Sequence, residues 1–223
     1  MSNNTSQQKR RTAGVRSLFL TLLVLAFTSG TVNLAAAQTV APPATPAAIT
    51  PPPGNAAFLV GHALGSQGYI CLPTSTGGSS WTVNGARPEA TLFASFFGHL
   101  VQIITHFTSI NANPNDNATL PVPLSGNATW QSSFDTSKVW AKATGIITAG
   151  SDASCPNAGA IPCLLLQSIG NQEGPTGGRI LAKTTFVQRL NTDGGAAPTT
   201  TCSVGQTQLV PYTADYVFFR GAE

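Results

Sequence analysis

Gln208–Phe219 reads QLVPYTADYVFF, and its alternation decides the fold class. Val210, Tyr212, Ala214, Tyr216 and Phe218 fall on one side. Thr213, Asp215 and Val217 fall on the other, with Phe219. A period of two is the signature of a β-strand, whose successive side chains point to opposite faces. Working back from this stretch, Asp193-Gly194-Gly195 is a turn. Before it, Ile180–Leu190 (ILAKTTFVQRL) places Ile180, Ala182, Phe186 and Leu190 on one face and Lys183 and Arg189 on the other. Ile161–Ile169, Val139–Thr144 and His99–Phe107 are further branched, apolar runs of strand length. Phe58–His62 and Gln67–Leu72 are shorter runs split by Gly65. Ala90–Phe97 admits two readings: Pro88-Glu89 could start a helix, and strand followed by turn fits equally. About eight short strands without a long helical pattern predict a single all-β domain, a sandwich or a barrel.

The start of the chain has another character. Lys9, Arg10, Arg11 and Arg16 precede a short apolar run, Ser17–Phe27, and Ala35-Ala36-Ala37 stands before Gln38. That order predicts a signal peptide over 1–37, cleaved near Ala37, and a secreted or periplasmic protein. The apolar run is shorter than the ~20 residues of a spanning helix, so no transmembrane anchor is expected after cleavage. Residues 38–54 (QTVAPPATPAAITPPPG) read as a Pro/Ala-rich linker. The domain then covers 55–223. The chain carries 11 Lys+Arg and 8 Asp+Glu. Removing the four basic leader residues leaves seven cations against eight acids, a charge of −1. No clustered basic face survives, which argues against nucleic acid and against a polybasic lipid anchor.

All four cysteines, Cys71, Cys155, Cys163 and Cys202, follow the leader, and an even count in an exported chain favours disulfides. Cys155 and Cys163 flank the turn residues Pro156, Gly159 and Pro162, so they are expected to pair locally. Cys71–Cys202 then joins the two ends of the domain. Zinc needs close C-x-x-C or H-x-x-x-H pairs; the chain has neither, so no metal and no cofactor are expected.

Other patterns suggest chemistry. Gly61, Gly65 and Gly68 are not spaced as G-x-G-x-x-G and do not open a helix, so a strand bend or bulge is the expected use. There is no G-x-S-x-G elbow. A hydrolase would have to draw on His106, Asp135, Ser137 and Asp215, with Asp135 and Asp215 as a possible carboxylate pair. His62, His99 and His106 could join Asp215 at a metal, although His99 and His106 would face opposite ways on one strand. Trp81, Trp130 and Trp140 fit a core or a sugar-stacking surface, and Trp130, after the long polar stretch Thr108–Gly126, is the best placed for exposure. Arg189 and Asp215 are expected to form a buried ion pair if their strands are neighbours and both point inward; Arg189 is otherwise a ligand-binding candidate. Asn117 and Asn127 open N-x-T sequons.

Several pieces together resemble a known family. They are Gln67-Gly68-Tyr69-Ile70-Cys71, Pro88–Phe93, Thr105-His106-Phe107, Thr129-Trp130-Gln131 before Asp135–Val139, Ala160–Leu166, Phe186–Gly195, Cys202 and Pro211–Tyr216. Their order and spacing resemble the exported proteins of the domain of unknown function 3455 family, from about Pro53 to Phe219. Departures are Cys163, where the family often has Trp, and Thr136, where it usually has Gly. The resemblance implies no catalytic residue. Some members carry a malate dehydrogenase label, which the absent dinucleotide fingerprint and the all-β pattern oppose here. The expectation is a monomeric, non-catalytic, ligand-binding or envelope/wall-associated module, perhaps for glycans, with a site near His106, Trp130, Asp135 and Arg189. A secreted hydrolase with a His/Asp site is the alternative, and a purely structural protein the third reading.

Overall fold

The computed structural model describes residues 40–109, 118–119 and 125–222, without the side chains of 86, 87, 118, 119 and 125. The stretch read as a signal peptide, Asn117 and most of the long polar stretch lie outside the described residues. Nine strands form one sheet: β1 (Asn55–Pro73), β2 (Ser79–Phe96), β3 (His99–Ser109), β4 (Ala118–Thr119), β5 (Ser125–Ser132), β6 (Lys138–Ile147), β7 (Cys163–Gln172), β8 (Thr184–Gly194) and β9 (Thr207–Gly221). The order is β3-β2-β1-β9-β8-β7-β6-β5-β4, every ladder is antiparallel, and β3 also pairs with β5. That last pairing closes the sheet, so the architecture is a barrel and not a sandwich. Closure removes the exposed edges that an open sheet would have to protect.

A barrel of about eight strands has an interior just wide enough to be filled by side chains. Here it is filled by Leu92, Ile104, Trp130, Val139, Leu166, Val187, Tyr212, Tyr216 and Phe218, among others. The Gln208–Phe219 alternation is realised: Tyr212, Ala214, Tyr216 and Phe218 face this interior, and Val217 and Phe219 face outward. The outward residues are buried too. They join Ile49, Ala57, Leu165, Leu190 and the Cys155 and Cys163 sulfurs in a second apolar layer outside the wall.

The Pro-rich stretch builds part of that outer layer, which corrects the linker reading. Ala47–Ile49 form one 3-10 turn, and Ile49 is fully buried. Gln188 Nε2 donates to the Ile49 carbonyl at 2.5 Å. A Cβ on Gly145 would collide with the Ala48 carbonyl, so the segment lies directly on β6. Ile49 supplies the physical reason: one apolar side chain with a covered seat outweighs the polar solvation of its proline-rich neighbours.

Three more readings are settled. Ala90–Phe96 is strand and Phe97 begins a turn, the strand-then-turn reading, because Ala90 and Leu92 have interior seats between β1 and β3. Gly65 lies within β1, where a Cβ would collide with Glu89 and Ala90, so close approach of two strands explains it. Asn127 is buried, which does not suit a glycan acceptor. Both disulfides, Cys71–Cys202 and Cys155–Cys163, are formed. No helix among the described residues is long and apolar enough to cross a membrane.

Candidate functional site

β8 and β9 do pair, with Arg189 opposite Tyr216 and Leu190 opposite Asp215. Arg189 and Asp215 therefore sit one residue out of step and point to opposite faces, so the expected ion pair is absent. Arg189 lies inside with Val187. Its Nε and Nη2 donate to the Pro162 carbonyl at 3.2 and 2.9 Å. Among the described residues no carboxylate pairs with it. Asp215 lies outside. Its Oδ1 is 2.6 Å from His62 Nδ1 directly across the β1–β9 ladder, and its Oδ2 accepts from Asn191 Nδ2 at 2.8 Å. Asn191 reaches it from a bulge between β8 and β9, with φ +49°. Sequence reasoning had grouped His62 with Asp215, but at a metal together with His99 and His106; the structure keeps only the His62–Asp215 pair, on the β9 side opposite Tyr212 and Tyr216.

His106 and Trp130 do come together. They are cross-strand partners on β3 and β5, and their rings stack at 4.3 Å between centroids with 6° between planes. Both are core residues. Trp130 is 1% exposed, so the expected exposed platform does not exist. The strand after the long polar stretch turns its tryptophan inward, where Tyr216 and Phe218 close around it. Trp140 is buried as well and donates to Ser109 Oγ, while Trp81 is half-buried and donates to the Thr200 carbonyl. His106 Nδ1 lies 2.9 Å from the Thr129 carbonyl and so carries the proton. Burial pushes its pKa down to about 4, the Thr129 bond opposes this, and the Arg189 cation adds to it.

That shift has a consequence for stability. The folded pKa lies below the unfolded value near 6.5, so the unfolded chain takes the proton first as pH falls. Stability is unaffected above about pH 6.5 and falls between about 6.5 and 4, by about 3 kcal/mol in total. Urea unfolding across this window checks the slope, and His106→Gln should flatten it. Asp135 acts in a different window. Burial opposes its ionisation, but hydrogen bonds from Ile180 N–H, Ser137 Oγ–H and Ser137 N–H outweigh this and lower its pKa. Its contribution is therefore present above the ordinary carboxylate range and is lost only below it.

Those bonds define what Asp135 does. It sits in the β5–β6 turn, folds Ser137 back on itself and ties the turn to the β7–β8 connection. Ser137 Oγ continues the tie by accepting from Leu181 N–H at 2.9 Å. His106 in the interior, Asp135 in this turn and Asp215 on the outer wall thus serve three separate structures, and no contact joins them. Nor do the described residues gather three His, Cys, Asp or Glu side chains in one place.

A surface groove of about 410 Å³ lies over β1, β2 and β3. Leu64, Thr91 and Thr105 form one cross-strand row of it, and Gly65, Ala90 and His106 form the next. The missing and the small side chains at Gly65 and Ala90 thin the wall there. Ser66, Glu89 and Phe107 complete the lining.

A family model described as a protein of unknown function (DUF3455) matches residues 52–220. The chain belongs to the DUF3455 family. No curated protein and no solved structure matches it. The two most specific DUF3455-like pieces of the sequence, Gln188–Gly195 and Tyr212–Tyr216, are paired strands here, and their polar groups are structural pins. Gln188 holds Ile49, Arg189 holds Pro162, Asn191 holds Asp215, Thr192 Oγ1 donates to Ile161, and Tyr212 and Tyr216 share a hydroxyl bond of 3.0 Å. The departure at Thr136 has a visible cost. Its φ is +58°, a left-handed backbone that disfavours a β-branched residue and suits Gly. Thr136→Gly should raise the unfolding free energy by about 1 kcal/mol, readable as a higher melting temperature.

Proposed function

We propose that this DUF3455 protein is exported by its leader to a secreted or periplasmic location and works there as a non-catalytic module that binds a neutral, hydroxyl-rich ligand, such as a glycan of the cell envelope or wall. The groove over β1–β3 carries this reading. Its walls offer the hydroxyls of Ser66, Thr91 and Thr105, the carboxylate of Glu89, and the apolar faces of Leu64 and Phe107. A sugar presents the complementary surface: hydroxyls that donate and accept, and an apolar ring face. His106 stays neutral at physiological pH, so no cation selects for an acidic ligand from the floor. A histidine held near 4 is also a poor general base at neutral pH, which counts against the hydrolase alternative. Two disulfides and the leader sequence support the oxidising, extracytoplasmic setting.

The test is a glycan array with the exported protein, run beside a broad hydrolase screen. Binding to neutral oligosaccharides is expected, with no turnover. Thr105→Trp, which fills the groove from its partly exposed rim, should abolish the array signal without moving the melting temperature. Turnover of any substrate, or binding that survives Thr105→Trp, would overturn the reading.

A further inference from the structure

An antiparallel barrel sends alternate connections to opposite ends. One end carries the β2–β3 turn, the β5–β6 turn, the β7–β8 connection and the place where β9 finishes beside the start of β1. Five large apolar side chains stand exposed at this end: Phe96, Phe97 and Leu100 on the first turn, Phe134 on the second and Ile180 on the third. The turns are joined. Ser133 N–H donates to the Ile103 carbonyl at 2.8 Å, and Ile180 N–H donates to Asp135 Oδ2 at 2.8 Å. Phe97 is the extreme case. It is 102% exposed, and its φ of +50° is a left-handed backbone. Gly or Asn would relieve both the strain and the exposure, so neither folding nor solubility accounts for a phenyl ring there.

Charge at the same end has a sign, and here the fold departs from the sequence expectation that no basic face survives, because it gathers cations that lie far apart along the chain. Lys138, Arg179, Lys183 and Arg220 lie there with Asp135 and Glu173, four cations against two carboxylates among the described residues. Both carboxylates are engaged locally, Asp135 by backbone and serine hydrogen bonds and Glu173 by Arg179 Nε at 2.8 Å, so the excess at this end is two positive charges. The apolar side chains stand on separate turns, spaced by Ser95, Gly98, His99 and Ser133. A protein partner needs a contiguous apolar core with matched shape. A bilayer needs no matched shape: separate rings enter the headgroup–acyl boundary while cations meet the anionic headgroups.

We propose that this end of the barrel docks on an anionic lipid bilayer, with Phe97, Leu100 and Phe134 entering the interface. The surface is distinct from the groove over β1–β3, and the proposal does not depend on the groove's ligand.

Vesicle flotation of the exported protein tests it. Vesicles of phosphatidylglycerol and phosphatidylcholine in equal parts should carry the protein up, and phosphatidylcholine alone should do so weakly. Phe97→Ser with Leu100→Ser and Phe134→Ser should lower partitioning at least about tenfold without changing the melting temperature, because all three positions are exposed. Phe97→Ser alone gives the same readout at smaller amplitude should the triple variant fold poorly. Arg179→Gln with Lys183→Gln, or raising salt from about 0.1 M to about 1 M, should remove the preference for anionic lipid. Thr105→Trp should float like the parent. Absence of flotation, or equal flotation by the apolar variants, overturns the proposal. So does a concentration-dependent dimer that Phe97→Ser abolishes in a protein that ignores vesicles, which would assign the surface to a second copy of the chain.

Discussion

Trp130→Ala should lower the unfolding free energy by about 3–5 kcal/mol, the range for removing a fully buried large aromatic side chain. The size of the effect follows from position. Trp130 is 1% exposed, stacks on His106 at 4.3 Å, and meets Tyr216 and Phe218 at 5.7 and 6.4 Å between centroids. These neighbours come from β3 and β9, and the barrel is closed, so the wall cannot collapse into the space left behind. Chemical denaturation measures the loss, with an unchanged denaturant slope showing that the native state is still compact. Trp130→Phe separates packing from polarity. The indole Nε1–H has no hydrogen-bond partner among the described residues. Phenylalanine gives up ring volume but also removes that orphaned donor, so about 1 kcal/mol is expected. A loss from Trp130→Phe as large as that from Trp130→Ala would mean that the indole N–H is satisfied and matters. A His106–Trp130 double-mutant cycle should give a coupling of about 1 kcal/mol for the stack.

How much of this was legible in the sequence depends on whether one face or two faces of a strand are buried. In β9 the alternation was clean, and the barrel uses it: Tyr212, Ala214, Tyr216 and Phe218 are inside. Arg189 was harder. The apolar side of β8 carries Phe186 and Leu190, yet these face the outer layer, while Arg189 goes inside with Val187. Polarity alone suggests the opposite, because nothing in the local sequence announces that Pro162 will offer a carbonyl to an interior guanidinium. The Pro-rich stretch misled for a related reason. Its composition predicts an extended chain in water, and one isoleucine with a seat on β6 and β7 reverses that. Trp130 shows a third limit. Adjacency to a long polar stretch suggests exposure, but the exposure of a strand residue is set by its parity, and Trp130 shares parity with the interior. The Asp135 site was visible as residue types, Asp-x-Ser, and its use as a turn clamp is the commonest one for that pattern. Exposed apolar turns escaped entirely, since a strand ending in Phe-Phe reads as core until the hairpin is seen to put both rings in water.

Replacing Cys71 and Cys202 together by alanine should be the most destabilising change short of deleting a strand. The bridge spans 131 residues in sequence. In the chain-entropy account, closing a loop of that length removes about 5 kcal/mol of unfolded-state entropy. The folded side changes little. Cys71 keeps its backbone bonds to Gln206 and Gly205, Ser79 Oγ–H still reaches the Cys202 carbonyl, and Trp81 still reaches Thr200. The loss therefore belongs mainly to the unfolded ensemble, which predicts a steeper denaturant slope as well as a lower midpoint, because the released chain exposes more surface. Cys155–Cys163 spans only 8 residues. Its removal should cost about 2.5 kcal/mol with a nearly unchanged slope. Equal losses for the two pairs, or a slope that moves only with the short one, would refute this account. A term of about 5 kcal/mol is comparable to the whole stability of a small domain, about 5–15 kcal/mol. Deprived of the long bridge, the barrel would be marginal, so the fold depends on conditions in which the bridge can form.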